Sequence, residues 1–237
     1  MNAVFITGTD TGVGKTVVTG LLGRYLLDKG LRVITQKWIQ TGDGPADIDV
    51  HLKLMGRTKK DIRKYLPSIV PYRFKFAASV HLAARLENKK INPAKIKKSL
   101  RLLAKEFDFV IVEGLGGALV PYNGRKLLID IAGELGLAVV IVVRNKLGAI
   151  NHTLLTTEAI KSRGMKIAGI VFNSRQRKEG KIILEDNPRI IKALTGETIA
   201  GILPWSKNSK LLHRAFVPIG DKIRAELGRR GVNGRLD

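Results

Sequence analysis

The sequence has no cysteine in 237 residues, which excludes a disulfide framework and any thiolate zinc site. Histidine is scarce: His51, His81, His152 and His213 are the only four, and their spacing is not that of a metal site. No apolar run approaches the roughly 20 residues that a membrane span needs. The opening Met1-Asn2-Ala3-Val4-Phe5-Ile6 lacks the pattern of a secretory leader and reads as a buried strand. A soluble cytoplasmic protein with no membrane partner is the expectation. Internal repeats, low-complexity linkers and charge-rich breaks are also missing, so residues 1–237 read as one domain, with a basic helical tail from about residue 221 that frays.

Acidic residues are in short supply, 20 Asp and Glu against 42 Lys and Arg, for a formal net charge of +22. The shortage is local. Residues 1–50 balance at five against five, whereas residues 51–105 hold sixteen basic and two acidic residues, net +14. A basic face suits polyanions, but no nucleic-acid-binding motif accompanies it. It reads as a solvated lysine-rich surface that sets solubility and non-specific attraction, with no specific nucleic acid as partner.

What is present is material for a core, with 44% hydrophobic residues, arranged as alternating strand and helix. Ala3–Thr7, Arg32–Gln36, Phe107–Val112, Leu137–Val143, Lys166–Phe172 and Thr198–Leu203 read as strands. Several are near-continuous apolar runs, as in a parallel sheet covered on both faces. Thr16–Leu27, Asp47–Met55, Asn92–Glu106 and Ile150–Arg163 read as helices, the third opened by an Asn-Pro cap. Gly56–Ser79 gives no clear pattern. The fold class is therefore α/β, an open parallel sheet with helices on both faces. Ligands in such folds lie beyond the carboxyl ends of the strands. The residues there are Gly8, Lys37, Glu113-Gly114, Arg144-Asn145-Lys146, Asn173 and Pro204, a polar or loop-forming group at every strand end.

After the first strand comes Gly8-Thr9-Asp10-Thr11-Gly12-Val13-Gly14-Lys15-Thr16. It is close to the phosphate-loop pattern G-x-x-x-x-G-K-[ST], with one extra residue between Gly8 and Gly14. Small residues let backbone N–H groups turn inward on phosphate oxygens, and the following helix points its positive end at them. Lys15 would neutralise the terminal phosphates of ATP, and the Thr16 hydroxyl would hold Mg²⁺. A plain glycine-rich turn would not need Lys-Thr at that place.

This loop, written in its extended form from Thr7 to Thr16, resembles that of the dethiobiotin synthetases. Four further segments agree in order: Lys37 with Thr41-Gly42; Val112-Glu113-Gly114-Leu115-Gly116-Gly117; Lys146-Leu147-Gly148-Ala149-Ile150-Asn151-His152; and Asn173 with Leu203-Pro204-Trp205. The likeness covers about residues 3–206. It implies a P-loop ATPase-type fold and an ATP- and Mg²⁺-dependent ring closure. In that reaction 7,8-diaminononanoate and CO₂ form a carbamate, the carbamate attacks the γ-phosphate, and the second amine closes the ureido ring and expels phosphate. It further implies Lys37 and Lys15 as catalytic residues. Nucleotide contacts would come from Gly12, Val13, Gly14, Lys15, Thr16, Val17, Asp49, Glu113, Gly114, Gly116, Asn173 and Pro204. Substrate contacts would come from Thr11, Thr41, Leu147, Gly148, Ile150 and Asn151, the last four reaching across the two-fold axis of a homodimer.

Thr16, Asp49 and Glu113 are the expected metal ligands, since Mg²⁺ takes oxygen donors and keeps several waters. Asp47 competes with Asp49; the family's spacing to Leu52 and Leu54 favours Asp49, and Asp47 suits a helix cap. The chain departs from the family at Trp38-Ile39, where Pro-Val is usual, and at Val80, where proline is usual before His81. Both departures fall near the expected organic-substrate site. Two other readings are a related P-loop synthetase with a different acceptor, from which an amidotransferase-linked enzyme is weakened by the lack of cysteine, and a regulatory ATPase that grips DNA or an acidic partner through residues 51–105.

Overall fold

The computed structural model describes residues 2–43, 46–174 and 180–229. Eight strands and ten helices follow one another as β1 (Ala3–Gly8), α1 (Lys15–Asp28), β2 (Val33–Lys37), β3 (Ile39–Thr41), α2 (Asp47–Met55), α3 (Lys59–Ile62), α4 (Leu66–Ile69), β4 (Tyr72–Phe74), α5 (Val80–Leu86), α6 (Pro93–Glu106), β5 (Phe109–Glu113), α7 (Leu128–Glu134), β6 (Ala138–Arg144), α8 (Ala149–Lys161), β7 (Ile167–Asn173), α9 (Lys181–Thr195), β8 (Ile199–Leu203) and α10 (Ser209–Arg229). Six strands form one sheet in the order β2-β5-β1-β6-β7-β8, every pair parallel. β3 and β4 pair separately as a parallel two-stranded ribbon.

β1, β2, β5 and β7 are buried at every position, because helices cover both faces of the sheet. Their alternate residues feed two cores. Val4 and Ile6 of β1, Phe109 and Ile111 of β5 and Val140 and Val142 of β6 pack with Leu21, Leu22 and Tyr25 of α1 and Phe216, Ile219 and Ile223 of α10. Phe5, Val110, Val112, Val139 and Ile141 face the other way, onto Ile96, Leu100 and Leu103 of α6, Ile129 of α7 and Ile160 of α8. Period-2 alternation on a two-sided sheet makes each strand serve both cores. α6 starts as its Asn-Pro pair requires, with the Asn92 side chain accepting from Ala94 N at 2.9 Å.

The carboxyl terminus differs from expectation. The helix there is longer than expected: α10 starts twelve residues before 221 and is helical through Arg229, while 230–237 lie outside the described residues. Phe216, Ile219, Ile223 and Leu227 fall on one stripe and are buried. At roughly 1.5–3 kcal/mol per buried large apolar side chain, that stripe outweighs the basic character of the segment. No described helix is long and apolar enough to cross a membrane.

Candidate active site

The loop after β1 is shaped by two left-handed glycines, Gly12 (φ 70°) and Gly14 (φ 106°). Gly14 is doubly constrained, because a Cβ there would also fall 2.0 Å from Asn173 Nδ2. The Asn173 side chain comes in from β7 and donates to Val13 O at 2.9 Å, clasping the loop. Lys15 opens α1, is nearly buried, and donates to Asp10 O at 3.0 Å. Burial first, and then the charge of Lys37, lower its pKa to about 8.

Beside the loop, four side chains from four elements converge. Lys37, the last residue of β2, has all three ammonium donors met: Glu113 Oε1 at 2.8 Å, Gly114 O at 2.8 Å and Asp47 Oδ2 at 2.9 Å. Glu113 ends β5, the strand hydrogen-bonded to β2, with Lys37 and Glu113 in register. Thr16 Oγ1 of α1 lies 3.0 Å from Glu113 Oε1 and 3.2 Å from Asp47 Oδ1. Burial opposes the Lys37 charge, but the carboxylates of Glu113 and Asp47 outweigh it and hold its pKa above the ordinary lysine value. Burial likewise opposes the Glu113 charge, yet Lys37 and then a hydrogen bond from His51 bring its pKa down to about 2.

Asp47 is where Asp49 was expected. Asp49 points outward and pairs with Lys59 at 2.8 Å. The physical reason is the helical period of α2. Its apolar stripe Ile48, Leu52 and Met55 is buried, which turns Asp49 and Lys53 toward solvent and leaves Asp47 at the edge of the stripe, facing β5. Nor does Asp47 cap the helix; the N-cap is Ala46.

Over this cluster opens a cavity of about 930 Å³. Thr11, Gly12, Gly14, Lys15, Thr16, Val17, Lys37, Thr41, Glu113, Gly116, Asn173 and Pro204 all line it, as do Asp47, Gln40, Ala77, Ala78, Ser79 and Trp205. Val13 and Gly114 contribute backbone carbonyls to Asn173 and Lys37 instead. Neither departure at Trp38 or Val80 reaches the cavity. Trp38 is buried against Phe5, ring centroids 5.2 Å apart, with Nε1 donating to Gln36 Oε1 at 2.9 Å, and Val80 is fully buried. Leu147, Gly148, Ile150 and Asn151 also stand apart from the cavity, the first two in the turn between β6 and α8 and the last two in the first turn of α8, and Leu147 is 77% exposed. Behind that turn, buried Asn187 of α9 donates to Asn145 Oδ1 and to Lys146 O, and Asn145 Nδ2 donates to Leu184 O. Sequence reading passed over α9 and therefore over this clasp; Asn145 at a strand end was its one visible trace.

The oxygen set of Thr16, Asp47 and Glu113 suits a hard divalent cation. One hydroxyl proton is shared between two carboxylates, so the cluster is richer in acceptors than in donors. Among the described residues no three or more His, Cys, Asp or Glu side chains surround one point, so such a cation would complete its shell with water and phosphate.

Comparison with known proteins agrees with this geometry. The family model described as an AAA domain matches residues 2–210. An ATP-dependent dethiobiotin synthetase of Haemophilus influenzae is 41% identical over 174 residues, 72% of this chain and 90% of that protein. One from an Anaeromyxobacter species is 40% identical over 225 residues, 94% of this chain and all of that protein. Among solved structures, the MinC:MinD cell division complex of Aquifex aeolicus aligns with a TM-score of 0.60 at 19% identity, covering 96% of each chain. The pNOB8 ParA bound to nonspecific DNA aligns with a TM-score of 0.59 at 15% identity, covering 97% of this chain and 98% of that one. These two likenesses show the fold alone, a parallel α/β sheet covered by helices. Identity of 40% over nearly the whole length is a different order of likeness, and by it the chain belongs to the dethiobiotin synthetase family.

Proposed function

We propose that the chain makes dethiobiotin from 7,8-diaminononanoate, CO₂ and ATP, for biotin biosynthesis in the cytoplasm, with the cluster of Lys37, Glu113, Asp47 and Thr16 as its reacting centre. That cluster, set at the mouth of a phosphate loop, is the observation that carries the reading. The task it performs is positioning and charge stabilisation rather than covalent catalysis. Lys15 and the loop N–H groups hold the phosphates, while Asn173 and Pro204 stand where the adenine end would lie. Thr16, Asp47 and Glu113 would hold Mg²⁺, which when bound would neutralise charge on the phosphates. Lys37 must exchange one of its three bonds to meet the transferring phosphoryl group. Asp47 is the partner to release it, being 28% exposed against 1% for Glu113. Thr11 and Thr41 face the space left for the diamine.

The carboxylate of the substrate lies at the far end of a nine-carbon chain from its amines. The Leu147–Asn151 turn offers backbone N–H groups at the start of α8 to such a group, but from outside the cavity of its own subunit. The reading that follows is a homodimer in which each subunit's turn completes the other's site. The basic face of residues 51–105 is read as solvated surface: none of its sixteen Lys and Arg side chains is buried, and none lines the cavity.

Turnover with diaminononanoate, bicarbonate and MgATP tests this. We expect dethiobiotin and ADP in equal amounts. Replacing Lys37 with alanine should lower kcat by about 100-fold or more, the scale for losing a group that stabilises transition-state charge, with little change in the KM for ATP. ADP release without dethiobiotin would refute the synthetase reading and favour a regulatory ATPase.

A further inference from the structure

One buried group at the centre has no role in the reaction just described. His51 is fully buried, is not among the residues that line the cavity over the cluster, and sits one helical turn along α2 from Asp47. Its Nε2 lies 2.6 Å from Glu113 Oε2. The other carboxylate oxygen, Oε1, faces Lys37 Nζ and Thr16 Oγ1. Glu113 is thus gripped on two sides, with its inner oxygen on the histidine and its outer oxygen toward the phosphate loop.

We propose that His51 is a positioning residue for the metal site: by donating Nε2–H to Glu113 Oε2 it fixes the plane of the carboxylate and aims Oε1 at the place shared by Thr16, Asp47 and Lys37. The direction of the bond follows from chemistry, since an ionised carboxylate only accepts. Without that anchor the carboxylate could rotate about its terminal torsion, which is broad for glutamate, and Lys37 would draw both oxygens toward itself. Among the described residues His51 Nδ1 has no hydrogen-bond partner, and the one polar contact of this side chain there is Glu113. The same helix carries Asp47 as first residue and His51 four residues on, so α2 delivers one cation ligand and the brace of another as a rigid pair. Its seat is fixed by close approach to α1, where a Cβ on Gly20 would fall 3.2 Å from His51 Cα. Outer-shell partners of metal ligands carry effects of about 10- to 100-fold on metal affinity or activity.

This inference rests on reading Thr16, Asp47 and Glu113 as the Mg²⁺ site, and the experiment separates the two. Mn²⁺ serves as the probe, titrated by electron paramagnetic resonance into enzyme saturated with a non-hydrolysable ATP analogue. Variants are His51→Leu, which keeps bulk but not the donor; His51→Gln, whose amide places an N–H near the original Nε2; and Asp47→Asn as reference. We expect the Mn²⁺ dissociation constant to rise about 10-fold in His51→Leu and to return most of the way in His51→Gln, with kcat following the same order and the KM for diaminononanoate changing less than about twofold. Melting temperature is recorded for all three. Wild-type Mn²⁺ affinity in His51→Leu, with affinity lost in Asp47→Asn, overturns the role of His51 and leaves the metal site standing. Equal losses in the leucine and glutamine variants that track melting temperature also overturn it, in favour of packing. Unchanged Mn²⁺ affinity in all three removes the metal-site reading and this inference with it.

Discussion

Lys15 and Lys37 face one cavity with like charges and are held in opposite ways. Lys37 is compensated by two carboxylates, so its charge survives burial; Lys15 has a carbonyl oxygen and the repulsion of Lys37, and its pKa falls to about 8. The sign of the consequence is definite. Phosphate binding favours the protonated lysine and raises its pKa, so between the free and bound values ATP binding takes up protons. Near pH 8 a group of pKa about 8 is half protonated, and the uptake should be about half a proton per ATP bound, falling toward zero below about pH 6.5 as Lys15 becomes fully charged beforehand. Calorimetric titration in buffers of differing ionisation enthalpy measures it, with Lys15→Met as control; equal uptake in the control would remove Lys15 as the source. At this scale the sequence is informative where chemistry is contiguous. Lys15 and Thr16 are legible because the phosphate loop is nine consecutive residues with fixed mechanics. Asp47 is not, because its choice over Asp49 depends on which side of α2 meets β5, and His51 is not, because its partner is 62 positions away.

At the level of elements, α1 and α2 form the frame that brings these residues together. Gly20 and Gly23, one turn apart on α1, face Leu54, His51 and Met55 of α2; a Cβ on Gly20 would meet Leu54 Cδ1 at 2.8 Å, and one on Gly23 would meet Met55 Sδ at 2.8 Å. Alanine is ordinarily the better helix former by about 1 kcal/mol, so Gly→Ala here sets propensity against overpacking. Overpacking costs about 1–3 kcal/mol and wins, because part of the obstacle at Gly20 is backbone. Gly20→Ala should therefore lower stability by about 1–2 kcal/mol in urea unfolding and reduce kcat by moving Asp47 and His51 off Glu113. Gly228→Ala on α10, where nothing lies within 4 Å of the added Cβ, should raise stability by a few tenths of a kcal/mol to about 1. The reverse order would mean that α2 is not seated as described. Elements with their own periodicity, such as β1, β6 and α6, were legible to within a residue or two. The three-residue strands β3 and β4 inside Gly56–Ser79 and its approach were not, since each exists only by pairing with the other across some 30 residues. α10 was read only from its basic second half, because its buried stripe is spread over 21 residues of otherwise polar helix.

At the scale of the molecule, the surface divides by composition. Basic side chains crowd the region of α2 to α6, while the β6–α8 turn presents Leu147 and the middle of α8 presents Leu155, at 77% and 58% exposure, on either side of the polar Asn151 in sequence. Asn151 and Leu155, four residues apart in α8, share one helical side, Leu147 stands in the turn just before the helix, and exposed apolar side chains grouped in this way mark an interaction site more readily than a solvated face does. A two-fold interface there would set each Leu147–Asn151 turn against the cavity of the other subunit, and symmetry would then create two identical composite sites. The prediction is complementation. Lys37→Ala removes a group of the reacting centre; Asn151→Arg fills the turn of the neighbouring subunit with a bulky cation. Each homodimer carries its lesion in both sites and should be inactive. In a mixed dimer one site receives both lesions and the other neither, so random mixing of equal amounts should give half the protein as heterodimer with one working site each, or about one quarter of wild-type activity per total subunit. Co-expression with two different affinity tags isolates the heterodimer, which should show about half. If sites lay within single subunits, every chain in the mixture would carry one lesion and no activity would return. A fully active monomer by light scattering at assay concentration would end the shared-site reading outright.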